Sequence, residues 1–410
     1  MLDPGRRPMW RWVVLALGIL AQAATCVFLY GLPTVVPALR ADEHLSLLGA
    51  SVVVSAPTAG LLLTLIAWGA AADRFGERVV IASGLTLATA FLALTVVVHG
   101  PVLLCVLLGL AGAGGASVNA ASGRVVMGWF AVDERGLAMG ARQTAQPLGV
   151  AIAGLTMPPL AHAHGVHSAL LFAAACCGVM ALAVAVLVTD PPRPPRTTAQ
   201  PTPSPYRSPV LWRIHAASAL LVVPQFTVSA FMLVYLVSER HWDPTAAGRL
   251  VFAFQVAGAA GRIGAGVWSD AVRSRLTPMR QLAVMSASLM TALALGAWAH
   301  AWWVIAGFVL SAVVTVADNG LAFTAVAEIA GSSWAGRALG VQNTGQNVAA
   351  LLTPPLLAAV IGDNRYAVGF AIVAIFPLLA VPVTPARSER RAATAALPST
   401  RAPAAPEPRR

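Results

Sequence analysis

Long apolar stretches follow one another along the whole chain, separated by short polar segments. A helix needs about 20 residues to cross about 30 Å of hydrocarbon. Stretches of this length lie near residues 12–38, 46–72, 79–99, 101–128, 137–160, 168–188, 210–237, 245–268, 279–299, 303–327, 337–361 and 367–384. The pattern therefore predicts an all-α integral membrane protein with twelve transmembrane helices.

A hydrophilic, proline-rich segment divides the predicted helices into two sets of six. Residues 189–209 contain many prolines and few apolar side chains, so we expect a cytoplasmic linker that does not pack. The N-terminal six-helix bundle is then residues 1–188, and the C-terminal bundle is residues 210–384. Residues 385–410 are rich in Pro, Ala and Arg, which is typical of a disordered tail.

The two halves match each other when they are aligned at an offset of about 200 residues. The matching segments are Trp10-Arg11 with Trp212-Arg213, Asn119 with Asn319, and Gly140-Ala-Arg-Gln-Thr-Ala-Gln146 with Gly340-Val-Gln-Asn-Thr-Gly-Gln346. Six spans return the chain to its starting side, so the repeats have the same topology. The alternative is a chance similarity of helices rich in Ala, Leu and Gly. The repeat predicts two bundles related by a pseudo-two-fold axis, with a site at their interface.

Composition supports a membrane location. The chain has 410 residues, of which 58% are hydrophobic and 10% are charged, whereas about 25% of the residues in soluble proteins are charged. The formal net charge of +11 comes from arginines that are scattered between apolar stretches. A nucleic-acid-binding protein would concentrate such charge on one soluble face. We therefore expect the lipid bilayer, and not a nucleic acid, as the partner of this surface.

The arginines also predict the orientation of the chain, because cytoplasmic loops are enriched in basic residues. With the N-terminus inside, the cytoplasmic segments carry Arg6, Arg7, Arg11, Arg74, Arg78, Arg135, Arg193, Arg196, Arg207, Arg213, Arg273, Arg275, Arg280, Arg337, Arg387, Arg390 and Arg391. The opposite side carries Arg40, Arg240, Arg249 and Arg365. We expect a multi-pass protein of a bacterial inner membrane with both termini in the cytoplasm.

Nothing in the sequence indicates an enzyme, a cofactor or a metal site. The cysteines lie inside apolar stretches and are interpreted as packing residues. His162, His164 and His167 form a dense group without a neighbouring acid or cysteine, so solvent-facing histidines are favoured over a metal site. The chain has no phosphate-binding Walker loop, so it is not expected to hydrolyse ATP.

A polar motif stands between the second and third predicted spans. The segment Gly69-Ala-Ala-Ala-Asp73-Arg74-Phe75-Gly76-Glu77-Arg78 resembles the loop signature of the major facilitator superfamily, with Glu77 in place of a usual basic residue. A second, degenerate copy is Gly266-Val-Trp-Ser-Asp270, followed by Arg273 and Arg275. The resemblance covers essentially the whole chain and implies a transporter that works by alternating access.

The motif residues have a direct physical interpretation as a gate. Gly69 lets two helices approach closely, and Asp73 can accept hydrogen bonds from the N-terminus of a neighbouring helix, plausibly that of span eleven. The alternative is a solvated polar turn. The candidate gating residues are Gly69, Asp73, Arg74, Gly76, Arg78, Gly266, Asp270 and Arg273.

Two ionisable residues are predicted to lie deep in the second half. The spacing of Arg262, Gly266 and Asp270 resembles span eight of monocarboxylate and oxalate/formate transporters, which implies that Arg262 engages a substrate carboxylate. Gln255 lies two turns earlier on the same face and is also a candidate substrate-binding residue. Asp318 in span ten is a candidate for proton coupling, since burial favours the neutral carboxyl group. The alternative is a permanent structural ion pair between Arg262 and Asp318.

Further candidate substrate-binding residues are polar side chains in spans four, five, ten and eleven. Arg142, Gln143 and Gln146 share a helix face, although Arg142 could instead extend to the cytoplasmic interface. The corresponding residues in the second half are Gln342, Asn343 and Gln346. Asn119 and Asn319 complete the predicted set, with Gln22 and Gln225 as weaker candidates. Arg124 is interpreted as a gate residue.

These features predict a secondary active transporter of a small organic anion, such as a carboxylate, driven by a proton gradient or by exchange. The alternative is proton-coupled efflux of drugs or metabolites. The arginine and the Gly-Pro-x-x-Gly-Gly signature that mark proton-coupled and drug-antiporting members of the family are absent from spans four and five. A non-transporting receptor ranks last, because the linker is short. We expect a monomer whose partners are the solute and either protons or a counter-substrate.

Overall fold

The computed structural model describes residues 7–98, 100–191, 203–362, 364–387 and 389. In these ranges the secondary structure is helical. The α-helices are α1 (Arg7–Gly31), α2 (Val36–Asp42), α3 (Leu47–Phe75), α4 (Glu77–Leu94), α5 (Pro101–Trp129), α6 (Arg135–Arg142), α7 (Ala145–His164), α8 (Val166–Leu187), α9 (Pro209–Ser238), α10 (Pro244–Ala271), α11 (Leu276–Trp298), α12 (Val304–Ala330), α13 (Ala335–Ile361) and α14 (Tyr366–Val383). Single 3-10 turns occupy Leu32–Val35, Thr95–Val97 and Pro205–Arg207.

Eleven helical stretches in the described part of the chain are long and apolar enough to cross a membrane. The remaining predicted span, the fifth, is a pair of helices, α6 and α7, which are separated by Gln143 and Thr144. Pro147 explains the break, because its ring lacks an amide hydrogen and crowds the carbonyl group of the residue four positions earlier. Asn347 occupies the matching position of α13, which is continuous. The predicted twelve-helix architecture is thus confirmed.

The two six-span halves, α1–α8 and α9–α14, each have their own packed interior. Phe28 and Leu108 belong to the core of the N-terminal half. In the C-terminal half, the ring of Phe308 lies 5.5 Å from that of Tyr235 and 5.6 Å from that of Phe370. Such edge-to-face and tilted ring pairs add to the packing energy between membrane helices.

A third apolar cluster joins the halves near the ends at which α1 begins and α14 ends. We call this end of the molecule the terminal side. The cluster includes Val126 and Met139 from the N-terminal half and Leu321 and Leu339 from the C-terminal half. The other end, where α7 ends and α10 begins, is called the opposite side. Among the described residues, α7 and α10 touch only marginally, and α1 and α9 make few contacts or none. The molecule is therefore closed on its terminal side.

The predicted linker and tail are described only in part. Residues 192–202 of the linker and residues 388 and 390–410 of the tail lie outside the described residues, as do Arg6, Arg193, Arg196, Arg390 and Arg391. Within the described part of the linker, the Tyr206 hydroxyl lies 3.1 Å from His215 Nε2 in α9. In the tail, Glu389 accepts hydrogen bonds from the backbone N–H groups of Arg275 at 2.7 Å and Leu276 at 3.1 Å. The described parts of the linker and of the tail thus both form hydrogen bonds with the C-terminal half on the terminal side.

Candidate functional site

A polar cavity lies between the two halves. Nine amide side chains line it: Gln22, Asn119, Gln143 and Gln146 from the N-terminal half, and Gln225, Asn319, Asn343, Gln346 and Asn347 from the C-terminal half. The other lining residues are Cys26, Leu29, Tyr30, Leu61, Val222, Phe226, Phe323 and Ala350. No Arg, Asp, Glu or His belongs to this described lining. The walls thus present mainly neutral hydrogen-bonding groups.

Two amide pairs at matching positions of the halves form opposite parts of the wall. In the N-terminal half, Gln22 Nε2 in α1 donates to Asn119 Oδ1 in α5 at 3.1 Å. In the C-terminal half, Asn319 Nδ2 in α12 donates to Gln225 Oε1 in α9 at 2.9 Å. The pairs obey the internal repeat, so the pseudo-symmetry of the sequence extends to the cavity.

Arg142 lies directly behind the cavity wall, at the end of α6. Its side chain is 1% exposed and donates three hydrogen bonds: from Nε to Ser122 Oγ at 2.8 Å, from Nη1 to Gln143 Oε1 at 2.8 Å, and from Nη2 to the Asn119 carbonyl oxygen at 3.1 Å. The guanidinium group lies 5.5 Å from the centre of the Phe323 ring. It forms no ion pair within 4.0 Å among the described residues. Arg142 is thus buried, hydrogen-bonded and not neutralised by an acid.

The predicted polar residues of α13 point in two directions. Asn343 and Gln346 line the cavity. Gln342 lies outside the lining, where its Oε1 is 2.5 Å from His215 Nδ1 in α9. The buried Nε2 of Gln342 has no hydrogen-bond partner among the described residues. A helix places residues 342 and 346 one turn apart, yet here only the second reaches the cavity.

Arg262 and Asp318 are buried at the contact of α10 with α12, outside the cavity lining. Arg262 is 4% exposed and Asp318 is 2% exposed. Arg262 Nη1 and Asp318 Oδ2 are both buried without a hydrogen-bond partner among the described residues. The charges attract each other, but no ion pair within 4.0 Å joins them in the described part of the chain. The expected roles of both residues stay predictions.

Gln255 also lies apart from the central cavity. It lines a second pocket between α9, α10 and α12, together with Thr315 and Gln225, which also lines the central cavity. The sequence thus predicts that Gln255 shares a face of α10 with Arg262, but it does not predict which pocket the side chain of Gln255 lines.

The predicted motif around Asp73 lies at the junction of α3 with α13 on the terminal side. Asp73 accepts hydrogen bonds from the backbone N–H groups of Gly336 at 2.8 Å and Arg337 at 3.1 Å, and from Arg337 Nε at 3.1 Å. It also pairs with Arg124. A Cβ atom on Gly69 would lie 2.3 Å from the Gly336 carbonyl oxygen. The expected contact with the start of span eleven is therefore present. We call it the first seam.

A second seam repeats this arrangement between α10 and α6. Asp270 accepts hydrogen bonds from the backbone N–H groups of Gly136 at 3.0 Å and Leu137 at 2.8 Å, and it pairs with Arg275. A Cβ atom on Gly266 would lie 2.1 Å from the Gly136 carbonyl oxygen. In each seam, an aspartate of one half thus accepts hydrogen bonds from the N-terminus of a helix in the other half.

The remaining predicted gating residues surround the seams. Gly76 has φ 103° and joins α3 to α4, a conformation that favours glycine. The Arg74 guanidinium lies 5.2 Å from the Phe75 ring. Arg78 donates to Asp190 Oδ1 through its backbone N–H at 2.8 Å. The side chain of Arg273 forms no hydrogen bond or ion pair with the described residues, and Arg275 is the arginine that reaches the second aspartate.

Several cavity residues were not identified from the sequence. Asn347 follows Asn343 by one helical turn, and Phe323 follows Asn319 by one turn. This spacing on one helix face is a signal that could have found both. Ser122 carries no such signal, because a serine in an apolar helix usually bonds to its own backbone.

Comparisons with known proteins agree with this architecture. A sequence model of the Major Facilitator Superfamily matches residues 15–354. The uncharacterised MFS-type transporters Rv2994 and MT3072, from two strains of Mycobacterium tuberculosis, are each 42% identical over 382 residues, which cover 92% of this chain and 85% of the relative. Among solved structures, the human organic anion transporter MFSD10 has a TM-score of 0.71 at 16% identity, covering 93% of this chain and 100% of its own. A variant of the E. coli fucose:proton symporter FucP has a TM-score of 0.70 at 14% identity, covering 91% and 98%.

Proposed function

Because the chain belongs to the Major Facilitator Superfamily and is a multi-pass membrane transporter, we propose that it moves a small organic anion, such as a carboxylate, by secondary active transport. The single observation that carries this proposal is the uncompensated positive charge of Arg142 behind an amide-lined cavity. The terminal side is the cytoplasmic side of a bacterial inner membrane in this proposal, since most arginines near the span ends lie there. The described conformation is then closed to the cytoplasm.

The charge of Arg142 favours an anion in the cavity. A buried cation without an acidic partner creates a positive potential in a medium of low dielectric constant. Two unit charges about 8 Å apart interact by about 2 kcal/mol at an effective dielectric constant of about 20. The amide N–H groups of the lining can donate hydrogen bonds to a carboxylate without adding charge. The described lining has no acid for a cationic drug, which argues against the efflux alternative.

Coupling is proposed to involve Asp318. A buried carboxyl group whose Oδ2 has no hydrogen-bond partner among the described residues cannot stay ionised at low cost, and Arg262, at the same contact of α10 with α12, is near enough to attract it. Asp318 would carry a proton while the two side chains are apart and would release it when they pair. Uptake of the anion would then be linked to proton movement.

Transport by purified protein in proteoliposomes tests the substrate class. Radiolabelled mono-, di- and tricarboxylates are compared with neutral sugars and lipophilic cations. We expect saturable transport of at least one carboxylate. We also expect that Gln143→Glu raises its KM by about thirtyfold, because a carboxylate beside Arg142 would cancel the attraction of about 2 kcal/mol.

Gln255→Glu is the matched control, since it introduces the same charge outside the central cavity. This variant should keep the KM of the wild-type protein within about threefold, because screening weakens a charge placed farther away. Transport of a lipophilic cation or a neutral sugar in preference to every carboxylate would contradict the proposal. Equal effects of the two glutamates would also contradict it.

A further inference from the structure

Each amide of the cavity has one accepting end and one donating end, and its neighbours decide which end remains for a solute. The oxygen of an Asn or Gln side chain accepts, and the nitrogen donates. An arginine can only donate, and a backbone carbonyl group can only accept, so a contact with either fixes the orientation of the amide. The walls can therefore be assigned a polarity.

The N-terminal wall is the part of the cavity lined by the N-terminal half. On this wall, Arg142 fixes the orientation of the Gln143 side-chain amide. The Nη1 group of Arg142 donates to Gln143 Oε1 at 2.8 Å. The accepting end of Gln143 is thereby occupied. Its Nε2 group donates to no described residue and is not enclosed, so it presents two N–H groups to the cavity.

The same arginine is connected to Asn119 through a chain of hydrogen bonds. Arg142 Nε donates to Ser122 Oγ at 2.8 Å, and the Ser122 hydroxyl donates to Gln22 Oε1 at 3.3 Å. Gln22 turns its Nε2 to Asn119 Oδ1, at 3.1 Å. Asn119 Nδ2 remains without a partner among the described residues. The N-terminal wall thus offers N–H donors at Gln143 and Asn119.

The α13 wall has the reverse polarity. Asn343 Nδ2 donates to the Leu339 carbonyl oxygen at 2.8 Å, and Asn347 Nδ2 donates to the Asn343 carbonyl oxygen at 2.9 Å. Gln346 Nε2 donates to Ser218 Oγ at 2.7 Å and to Asn319 Oδ1 at 3.1 Å. The accepting oxygens of these three amides have no donor among the described residues and remain accessible. The α13 wall therefore offers carbonyl oxygens.

Two further amides, Gln225 and Gln146, have an unoccupied end but belong to neither the donating surface near Arg142 nor the accepting surface on α13. Gln225 accepts from Asn319 through Oε1 and so keeps its donating end. Gln146 forms no side-chain hydrogen bond with the described residues and can present either end. Neither residue belongs to α13 or contacts Arg142, so the polarity of those two surfaces is unchanged.

We infer that the cavity binds a hydroxylated carboxylic acid in one orientation, with the carboxylate at Gln143 and Asn119 and the hydroxyl groups at the oxygens of Asn343, Gln346 and Asn347. This inference rests on the proposed function and specifies its substrate class. Carboxylates need donors, whereas hydroxyl groups can donate to carbonyl oxygens. An ammonium group would also donate, but a desolvated cation requires an acidic partner, and the described lining has none.

Isothermal titration of the purified full-length protein in detergent tests the inference with compounds of one carbon skeleton. These are gluconate, hexanoate, 6-aminohexanoate and the neutral polyol sorbitol. We expect gluconate to bind at least about tenfold more tightly than each of the others, because an unpaired acceptor is left wherever a hydroxyl group is missing. Asn347→Leu should weaken gluconate about fivefold, the worth of one neutral hydrogen bond, and leave hexanoate unchanged. Gln255→Leu, outside the cavity, should change neither affinity.

The outcomes separate this inference from the proposed function. If hexanoate binds as tightly as gluconate, or if Asn347→Leu affects both acids equally, the assigned polarity is wrong while the anion proposal stands. If 6-aminohexanoate binds most tightly, the α13 oxygens recognise an ammonium group and not hydroxyl groups, and the inference is overturned. Tightest binding of sorbitol, or binding of neither hexanoate nor gluconate, would overturn the proposed function together with the inference.

Discussion

Replacing Gly69 by alanine should prevent the first seam from closing. The added Cβ would lie 2.3 Å from the Gly336 carbonyl oxygen and 3.1 Å from the Arg337 nitrogen. Both are backbone atoms, so no side chain can rotate away and α3 must move from α13. Overpacking of this kind costs about 1–3 kcal/mol. The cost falls only on the state that is closed on the terminal side, so the equilibrium between states should shift by about 5- to 150-fold.

Double electron–electron resonance (DEER) spectroscopy, which measures distances between two spin labels, reports this shift in the equilibrium directly. Spin labels are attached at the exposed Arg40 and Arg249, one in each half on the opposite side, after replacement of the four cysteines. Gly69→Ala should transfer population from the long to the short distance between the labels. Gly264→Ala is the control, because a Cβ there has no other atom within 4 Å, and it also corrects for the higher helix propensity of alanine. Equal distance distributions for Gly69→Ala and the wild-type protein would refute the seam as a closing contact.

Three further changes are expected to have defined effects. Gly136→Ala should shift the same distance distribution as Gly69→Ala, because its Cβ would lie 2.4 Å from the Gly266 carbonyl oxygen; a shift within error of Gly264→Ala would contradict this. Asp270→Asn should shift it at least about fivefold, since the amide nitrogen cannot accept one of the two backbone N–H bonds and a neutral acceptor is weaker by about 1 kcal/mol than an ionised one; this is checked with the same labels. Asp318→Asn should abolish accumulation driven by a pH gradient but retain exchange of labelled for unlabelled solute in proteoliposomes, and retained accumulation would exclude Asp318 as the proton carrier.

The spans and the seams could be predicted from the sequence because both depend on local patterns. Stretches of about 20 apolar residues mark helices in any membrane protein. Gly69 predicts a close contact between two helices, and Asp73 predicts a hydrogen-bond acceptor beside it. The internal repeat predicts the same arrangement at Gly266 and Asp270. Such features require no knowledge of the side-chain orientation in three dimensions.

The cavity itself could be predicted only in part, because orientation around each helix axis depends on packing. Asn343 and Gln346 line it, whereas Gln342 turns to His215 in α9. Arg142 was expected either in the cavity or at the membrane interface, but it lies behind the wall. The break caused by Pro147 positions it there, and the effect of a proline on the preceding residues becomes visible only when the helices are packed.

The two glycine seams have a consequence for leakage through the membrane. Each seam is a contact between backbones, and the two lie at matching positions on either side of the pseudo-two-fold axis. We expect a tilt that parted α3 from α13 alone to press α6 harder against α10, which would raise the free energy of partly open geometries above that of either end state. We therefore expect both contacts to separate in one concerted motion. Such a protein would spend little time with a continuous water path, so few ions would leak through it across the membrane.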